Sequence, residues 1–199
     1  MSRRKNPYAK PDRYTRAAKD AGFPARSVFK LEEIDRRARL LRGGMRVLDL
    51  GAAPGSWSIY AAQRIGASGR LLAIDLEPIV VALPPQATSI VGDAFTVDDA
   101  TAGQFAPYDV VLSDMAPKTT GNRVTDQARS FDLFMRALDV AARLGGPGGA
   151  FVGKIFMSDD LPVARAELRL HYASERLIRP EGTRAVSTEI FSVATGKRR

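Results

Sequence analysis

The stretch Val47-Leu48-Asp49-Leu50-Gly51-Ala52-Ala53-Pro54-Gly55 reads as a short apolar strand, a turn of small residues and the entry to a helix. Small residues at the carboxyl end of a strand let the main chain approach a ligand closely. Gly51 and Gly55 are four positions apart, so the turn is not a G-x-G-x-x-G fingerprint, and no Lys-Ser/Thr pair follows. Both facts argue against a dinucleotide and against a nucleoside triphosphate. The next strand ends in an acid, in Leu72-Ala73-Ile74-Asp75. A carboxylate there can accept hydrogen bonds from both hydroxyls of an adenosine ribose. After the following strand, Val91-Gly92-Asp93 places a further carboxylate that can accept from an adenine amine. Each feature alone has an ordinary structural explanation as a turn or a helix cap. Together, at successive strand ends, they suit an adenosine that carries a short amino-acid tail. Trp57, the only tryptophan, lies just inside the following helix, placed either to line that pocket or to pack between helix and sheet.

The same alternation continues outward. Val28, Leu31, Ile34, Ala38 and Leu41 recur at helical spacing, which predicts a helix over 25–41 stopped by Gly43-Gly44. Strands are expected at 45–50, 70–75, 89–91, 108–113, 150–155, 173–178 and 188–194, with further helices at 56–65, 126–144 and 159–171. This order predicts an α/β, Rossmann-like fold, a mostly parallel seven-stranded sheet with helices on both faces. No internal repeat or domain boundary is visible. Residues 1–199 read as one domain, a basic arm over 1–24 joined to a core over 25–199. Asn6-Pro7 and Lys10-Pro11 interrupt any long helix in the arm.

Composition narrows the chemistry. The chain has 199 residues, no cysteine and one histidine, which excludes disulfides, a thiol nucleophile and His- or Cys-rich metal sites. No apolar run is long enough to span a bilayer and no secretory signal is visible, so a cytoplasmic protein is expected. The net charge is +8, and it is localised. Residues 1–42 hold thirteen Lys/Arg against five Asp/Glu, whereas the rest holds seventeen of each. A basic segment interleaved with Tyr8, Tyr14 and Phe23 suits a polyanion, with stacking as well as phosphate contacts.

Two lysines stand in apolar surroundings, Lys30 in Ser27-Val28-Phe29-Lys30-Leu31 and Lys154 in Val152-Gly153-Lys154-Ile155-Phe156. A buried lysine is costly unless paired. Asp114 follows a predicted strand in Leu112-Ser113-Asp114-Met115-Ala116-Pro117, and Glu189 opens the last one in Thr188-Glu189-Ile190-Phe191.

These motifs, with Pro147-Gly148-Gly149 and the closing Val193-Ala194-Thr195-Gly196, resemble the bacterial branch of the FtsJ-like RNA 2′-O-methyltransferases from about Tyr14 onward. The resemblance implies a class I methyltransferase fold, S-adenosylmethionine as methyl donor and a ribose 2′-hydroxyl as acceptor. It implies a catalytic tetrad at Lys30, Asp114, Lys154 and Glu189. It also implies donor contacts at Gly55, Trp57, Asp75, Asp93 and Asp114, with no metal. The implied partner is RNA, a uridine of 23S rRNA within the large ribosomal subunit, and a monomer is expected. Two positions depart from the family pattern: Ser56 where glycine is usual, and Lys118 where asparagine is common. Transfer to tRNA or an mRNA cap, a non-catalytic assembly role, and a small-molecule or protein substrate are the alternatives. The intact tetrad argues against the assembly role, and the localised charge against the last. Opposing influences around Lys154 leave open whether it acts as a neutral base or as a charged group that orients the hydroxyl.

Overall fold

The computed structural model describes residues 12–184 and 187–199. Arg3, Arg4, Lys5 and Tyr8 of the basic arm lie outside these. The strands are β1 (Arg46–Leu50), β2 (Arg70–Asp75), β3 (Ala87–Val91), β4 (Tyr108–Ser113), β5 (Gly145–Phe156), β6 (Tyr172–Ile178) and β7 (Glu189–Lys197). The helices are α1 (Arg13–Asp20), α2 (Val28–Ala38), α3 (Ser56–Ile65), α4 (Asp99–Ala102), α5 (Arg123–Leu144) and α6 (Leu161–His171). The strands form one sheet in the order β3-β2-β1-β4-β5-β7-β6. All neighbours are parallel except β7, which runs antiparallel to β5 and β6. The chain reverses its direction of sheet growth between β1 and β4, the position where open α/β sheets form a ligand crevice.

Two apolar layers cover the sheet. Leu31, Ile34, Trp57, Ala61 and Ile65 pack on one face, with Val47, Leu112 and Val152 beneath them. Phe134, Leu138, Ala141, Ala164 and Leu168 pack on the other, over Leu48, Val111 and Phe151. The central strands are buried on both faces, which is why they read as near-continuous apolar runs.

The structure differs from the sequence reading in four places. The arm contains the eight-residue helix α1, whose N-cap Asp12 accepts from the Thr15 N–H at 2.9 Å. Pro7 and Pro11 precede it and leave it intact. Helix α2 stops at Ala38, before Leu41, because Arg39 turns left-handed at φ 52° and the Asp35 carboxylate takes the Leu41 N–H at 2.8 Å. Asp35 also accepts from the Tyr60 hydroxyl and the Arg64 Nε, both at 3.0 Å, so a buried acid ties the end of α2 to α3. Strand β5 begins at Gly145, directly after α5, and the glycine-rich stretch is strand where a loop is expected. Helix α4 is a single turn, too short to carry a periodic signal.

Candidate active site

The donor side is built from main chain. Gly51 and Gly55 adopt φ of 73° and 109°, a left-handed region that favours glycine. A Cβ on Gly51 would stand 2.2 Å from the Met115 Cγ, and one on Gly55 would stand 2.9 Å from the Ile79 Cγ2. The loop therefore has no room for a side chain at either position. Asp75 closes it from the next strand: Oδ2 accepts from the Ala53 N–H and Oδ1 from the Glu77 N–H, both at 2.8 Å. Asp93 Oδ1 accepts from the Phe95 N–H at 2.9 Å. A carboxylate has about four lone-pair sites, so both acids keep acceptor capacity. Gly51, Asp75, Asp93, Phe95 and Met115 line one cleft of about 140 Å³. The three strand-end features seen in the sequence thus meet around a single space.

Sequence reasoning passed over Asp49 beneath this loop. It is 1% exposed and accepts from the Ser58 hydroxyl at 2.6 Å. Burial pushes its carboxyl up to about 7, while the Ser58 bond opposes the rise and the charges of Asp114 and Asp75 add to it. The signal was present in the sequence: an acid inside the apolar strand Val47-Leu48-Asp49-Leu50.

The acceptor side is built from side chains that converge from four elements. Lys154 pairs with Asp114 Oδ1 at 3.0 Å and also donates to the Asp114 main-chain oxygen. Lys30 pairs with Glu189 Oε1 at 2.5 Å. In the antiparallel β5–β7 ladder Lys154 stands opposite Phe191 and Phe156 opposite Glu189. Side chains directly opposite share a face and alternate residues share it too, so Lys154, Phe191 and Glu189 project from the same side of the sheet. The Lys30 Nζ lies 5.8 Å from the centre of the Phe191 ring. The four residues thus form two ion pairs at one end of the sheet. Exposure of the lysines is 12% for Lys30 and 7% for Lys154, so neither is a solvated surface charge.

The first turn of α3 joins the two sides. The Ser56 hydroxyl accepts from the Ala25 N–H at 2.7 Å and donates to the Ala25 carbonyl at 3.1 Å. The Trp57 indole N–H donates to the Ser27 carbonyl at 2.8 Å, and its ring packs 5.6 Å from that of Phe191. Residues 25–27 lead directly into α2 and Lys30. The Trp57 side chain is used for packing between α3, the 25–27 segment and β7, and is not among the residues lining the 140 Å³ cleft. Ser56, the departure from the usual glycine, gains a defined purpose: it clasps the backbone ahead of Lys30. Lys118, the second departure, lies in an exposed loop. Tyr14 is engaged inside the molecule, 5.9 Å from the Phe29 ring and beneath the Arg13 and Arg26 guanidinium groups.

Comparison with known proteins agrees with this geometry. The FtsJ-like methyltransferase family profile matches residues 23–197. The chain is 67% identical over 189 residues to the ribosomal RNA large subunit methyltransferase E of Sorangium cellulosum, covering 95% of this chain and 89% of the relative. It is 47% identical over 195 residues to the protein of the same name from Bdellovibrio bacteriovorus, covering 96% and 99%. Among solved structures, a ribosomal RNA methyltransferase from Plasmodium falciparum superposes with a TM-score of 0.77 at 20% identity, over 88% of this chain and 98% of the other. Human methyltransferase-like protein 13, solved with SAH, superposes with a TM-score of 0.56 at 16% identity, over 76% and 71%. The last two speak for the fold. With a family match across nearly the whole chain and two thirds identity to a full-length relative, this chain belongs to the FtsJ-like methyltransferases.

Proposed function

We propose that this methyltransferase transfers the methyl group of S-adenosylmethionine to a ribose 2′-hydroxyl of large-subunit ribosomal RNA, at a uridine. The observation that carries the reading is the pair of ion pairs, Lys154–Asp114 and Lys30–Glu189, set beside a glycine-lined adenosine cleft. The relatives' shared name supports the ribosomal target. Exposed Arg13, Arg16 and Lys19 on α1 support a polyanionic partner. Cytoplasmic action as a monomer is part of the same proposal. Among the described residues no helix is long and apolar enough to cross a membrane.

The site fits the donor by its own geometry: a cleft lined by Gly51 and Gly92 main chain, and two acids with spare acceptor capacity. In this reading Gly55 and the adjoining first turn at Trp57 face its amino-acid end. Asp75 takes the ribose hydroxyls, Asp93 the adenine amine, and Asp114 borders the reacting centre. When bound, the donor supplies an electrophilic methyl on a sulfonium. A ribose hydroxyl is a weak nucleophile, so the protein gains most by holding it in line and by stabilising charge on its oxygen. An ammonium has three N–H donors. The Asp114 main-chain oxygen takes one on Lys154, and Oδ1 adds its charge without a hydrogen bond, which leaves donors for the acceptor oxygen. That pairing favours Lys154 as the group that orients the hydroxyl and stabilises developing alkoxide. Lys30 and Glu189 hold the ribose on the other side, Lys30 as donor and Glu189 as acceptor.

The test is transfer of labelled methyl to large subunits and to naked 23S rRNA from cells lacking the protein, with the product mapped. A new ribose methyl at one uridine is expected. Labelling of tRNA alone would move the substrate, and labelling of no RNA would overturn the reading.

A further inference from the structure

The Lys30–Glu189 pair opens onto a groove that extends well beyond it. A cleft of about 300 Å³ lies among Arg26, Lys30, Arg184, Ser187 and Glu189. Ser187 also lines a second cleft of about 380 Å³ with Arg123, Gln127, Phe156 and Thr188. Arg123 and Gln127 continue into a third of about 410 Å³, walled by Val124, Met157, Ser158 and Asp159. The first cleft contains half of the tetrad. The third contains none of it and plays no part in donor binding.

We propose that this third cleft holds a nucleotide adjacent to the methylated one, with a phosphate at Arg123 and the base against Val124 and Met157. The proposal rests on RNA being the substrate. Three observations support it. The cleft is continuous with the acceptor site through shared lining residues, so a strand whose ribose sits at Lys30 and Glu189 is led toward it. The second cleft, which joins it to the acceptor site, is held in place. Asp126 accepts from the Thr120 N–H at 2.7 Å, the Thr120 hydroxyl at 2.9 Å and the Gly121 N–H at 3.3 Å. Gln127 Nε2 donates to the Met157 carbonyl at 2.5 Å, joining α5 to the turn after β5. Finally, the chemistry of the lining matches a nucleotide. Val124 is 75% exposed and Met157 44%, two apolar side chains presented to one space beside an exposed guanidinium. A flat base covers apolar surface and a phosphate pairs with arginine. Asp159 in the same cleft repels a phosphate, which assigns the phosphate to the Arg123 side and the base to the Met157 side.

The test uses a single-stranded oligouridylate and the full-length protein, with binding followed by fluorescence anisotropy across a salt series. Arg123→Gln and Arg123→Ala are each expected to weaken binding about fivefold, as for an exposed ion pair, and to lower the salt slope by about 0.7. The Val124→Ala/Met157→Ala double variant is expected to weaken binding with the slope unchanged, since no phosphate contact is lost. All variants keep wild-type melting and donor affinity. Wild-type affinity and slope in both Arg123 variants would overturn the proposal, as would failure of the wild type to bind at low salt. Unchanged oligouridylate binding with weakened binding to large subunits would assign the cleft to a ribosomal protein, and would also overturn it. If the Arg123 variants weaken oligouridylate binding as expected but the wild type methylates no RNA, the functional reading fails and the cleft stands as an RNA-binding site alone.

Discussion

The two halves of the site are made differently. The donor half, at the ends of β1, β2 and β3, is a main-chain device: two left-handed glycines, a turn of small residues and acids that bond neighbouring N–H groups. The acceptor half, at the ends of β4 and β5, the start of β7 and on α2, is a side-chain device made of two ion pairs. Under the proposed function the first holds a ligand of fixed shape, which rigid backbone does well, and the second acts on a reacting oxygen, which needs charge delivered to one point. A buried pair tolerates loss of one partner poorly, because the other charge is stranded. The acceptor half is therefore the more sensitive to single substitutions in activity, and the donor half in its dependence on backbone and pH.

The sharpest way to break this contrast is Lys154→Ala. It is expected to reduce methyl transfer by at least about 10²- to 10⁴-fold, the range for a positioned proton-transfer or charge-stabilising group. Donor affinity by calorimetry stays near wild type, because the 140 Å³ cleft lies on other residues. Comparable loss of donor binding would show that the halves are not separable.

A second prediction concerns Asp49 on the donor side. Its carboxyl is raised to about 7 in the folded protein, mainly by burial, above its ordinary value of 3.8. The folded state then binds the proton more tightly than the unfolded state. The stabilising contribution is complete below about pH 4 and is lost as pH rises toward 7. Each unit of such a shift corresponds to about 1.4 kcal/mol, so the loss amounts to a few kcal/mol at most. Asp49→Asn removes this dependence. Urea unfolding of both proteins between pH 4 and 8 is expected to show the variant gaining relative stability as pH rises. A constant difference across that range would show that Asp49 does not change protonation on folding.

The smallest expected effect lies between the halves. Ser56→Ala removes two hydrogen bonds to Ala25 and is expected to cost ~1–2 kcal/mol by urea unfolding. An unchanged midpoint would mean that the clasp holds nothing, and that the segment before Lys30 is fixed by the Trp57–Ser27 bond and packing alone.

The donor half was legible in the sequence because its parts are local. Gly51 and Gly55 lie within one turn, Asp75 ends β2, and Asp93 follows the end of β3 by two residues. The strand and helix order was legible for the same reason, since central strands buried on both faces leave long apolar runs. Asp49 was passed over although its signal was local, because an acid next to a glycine loop is easily absorbed into the motif. For the acceptor half, the residues at 30, 114, 154 and 189 stood out as charges in apolar surroundings, and the family resemblance grouped them as a tetrad. Lys154 meets Asp114 because β5 lies parallel beside β4, and Glu189 reaches Lys30 because β7 enters antiparallel beside β5. The use of Ser56 and Trp57 as a clasp depends on residues about thirty positions apart meeting at one helix end.

What the sequence by itself determined is the fold class, the glycine loop after β1 and the charged residues available for chemistry, because these follow from periodicity, glycine placement and the cost of burying charge. What only the tertiary structure decided is which charges neutralise each other, which side chains are spent on packing, and where the groove leads beyond the tetrad. Those follow from distances between segments far apart in the chain, and no local pattern encodes a distance.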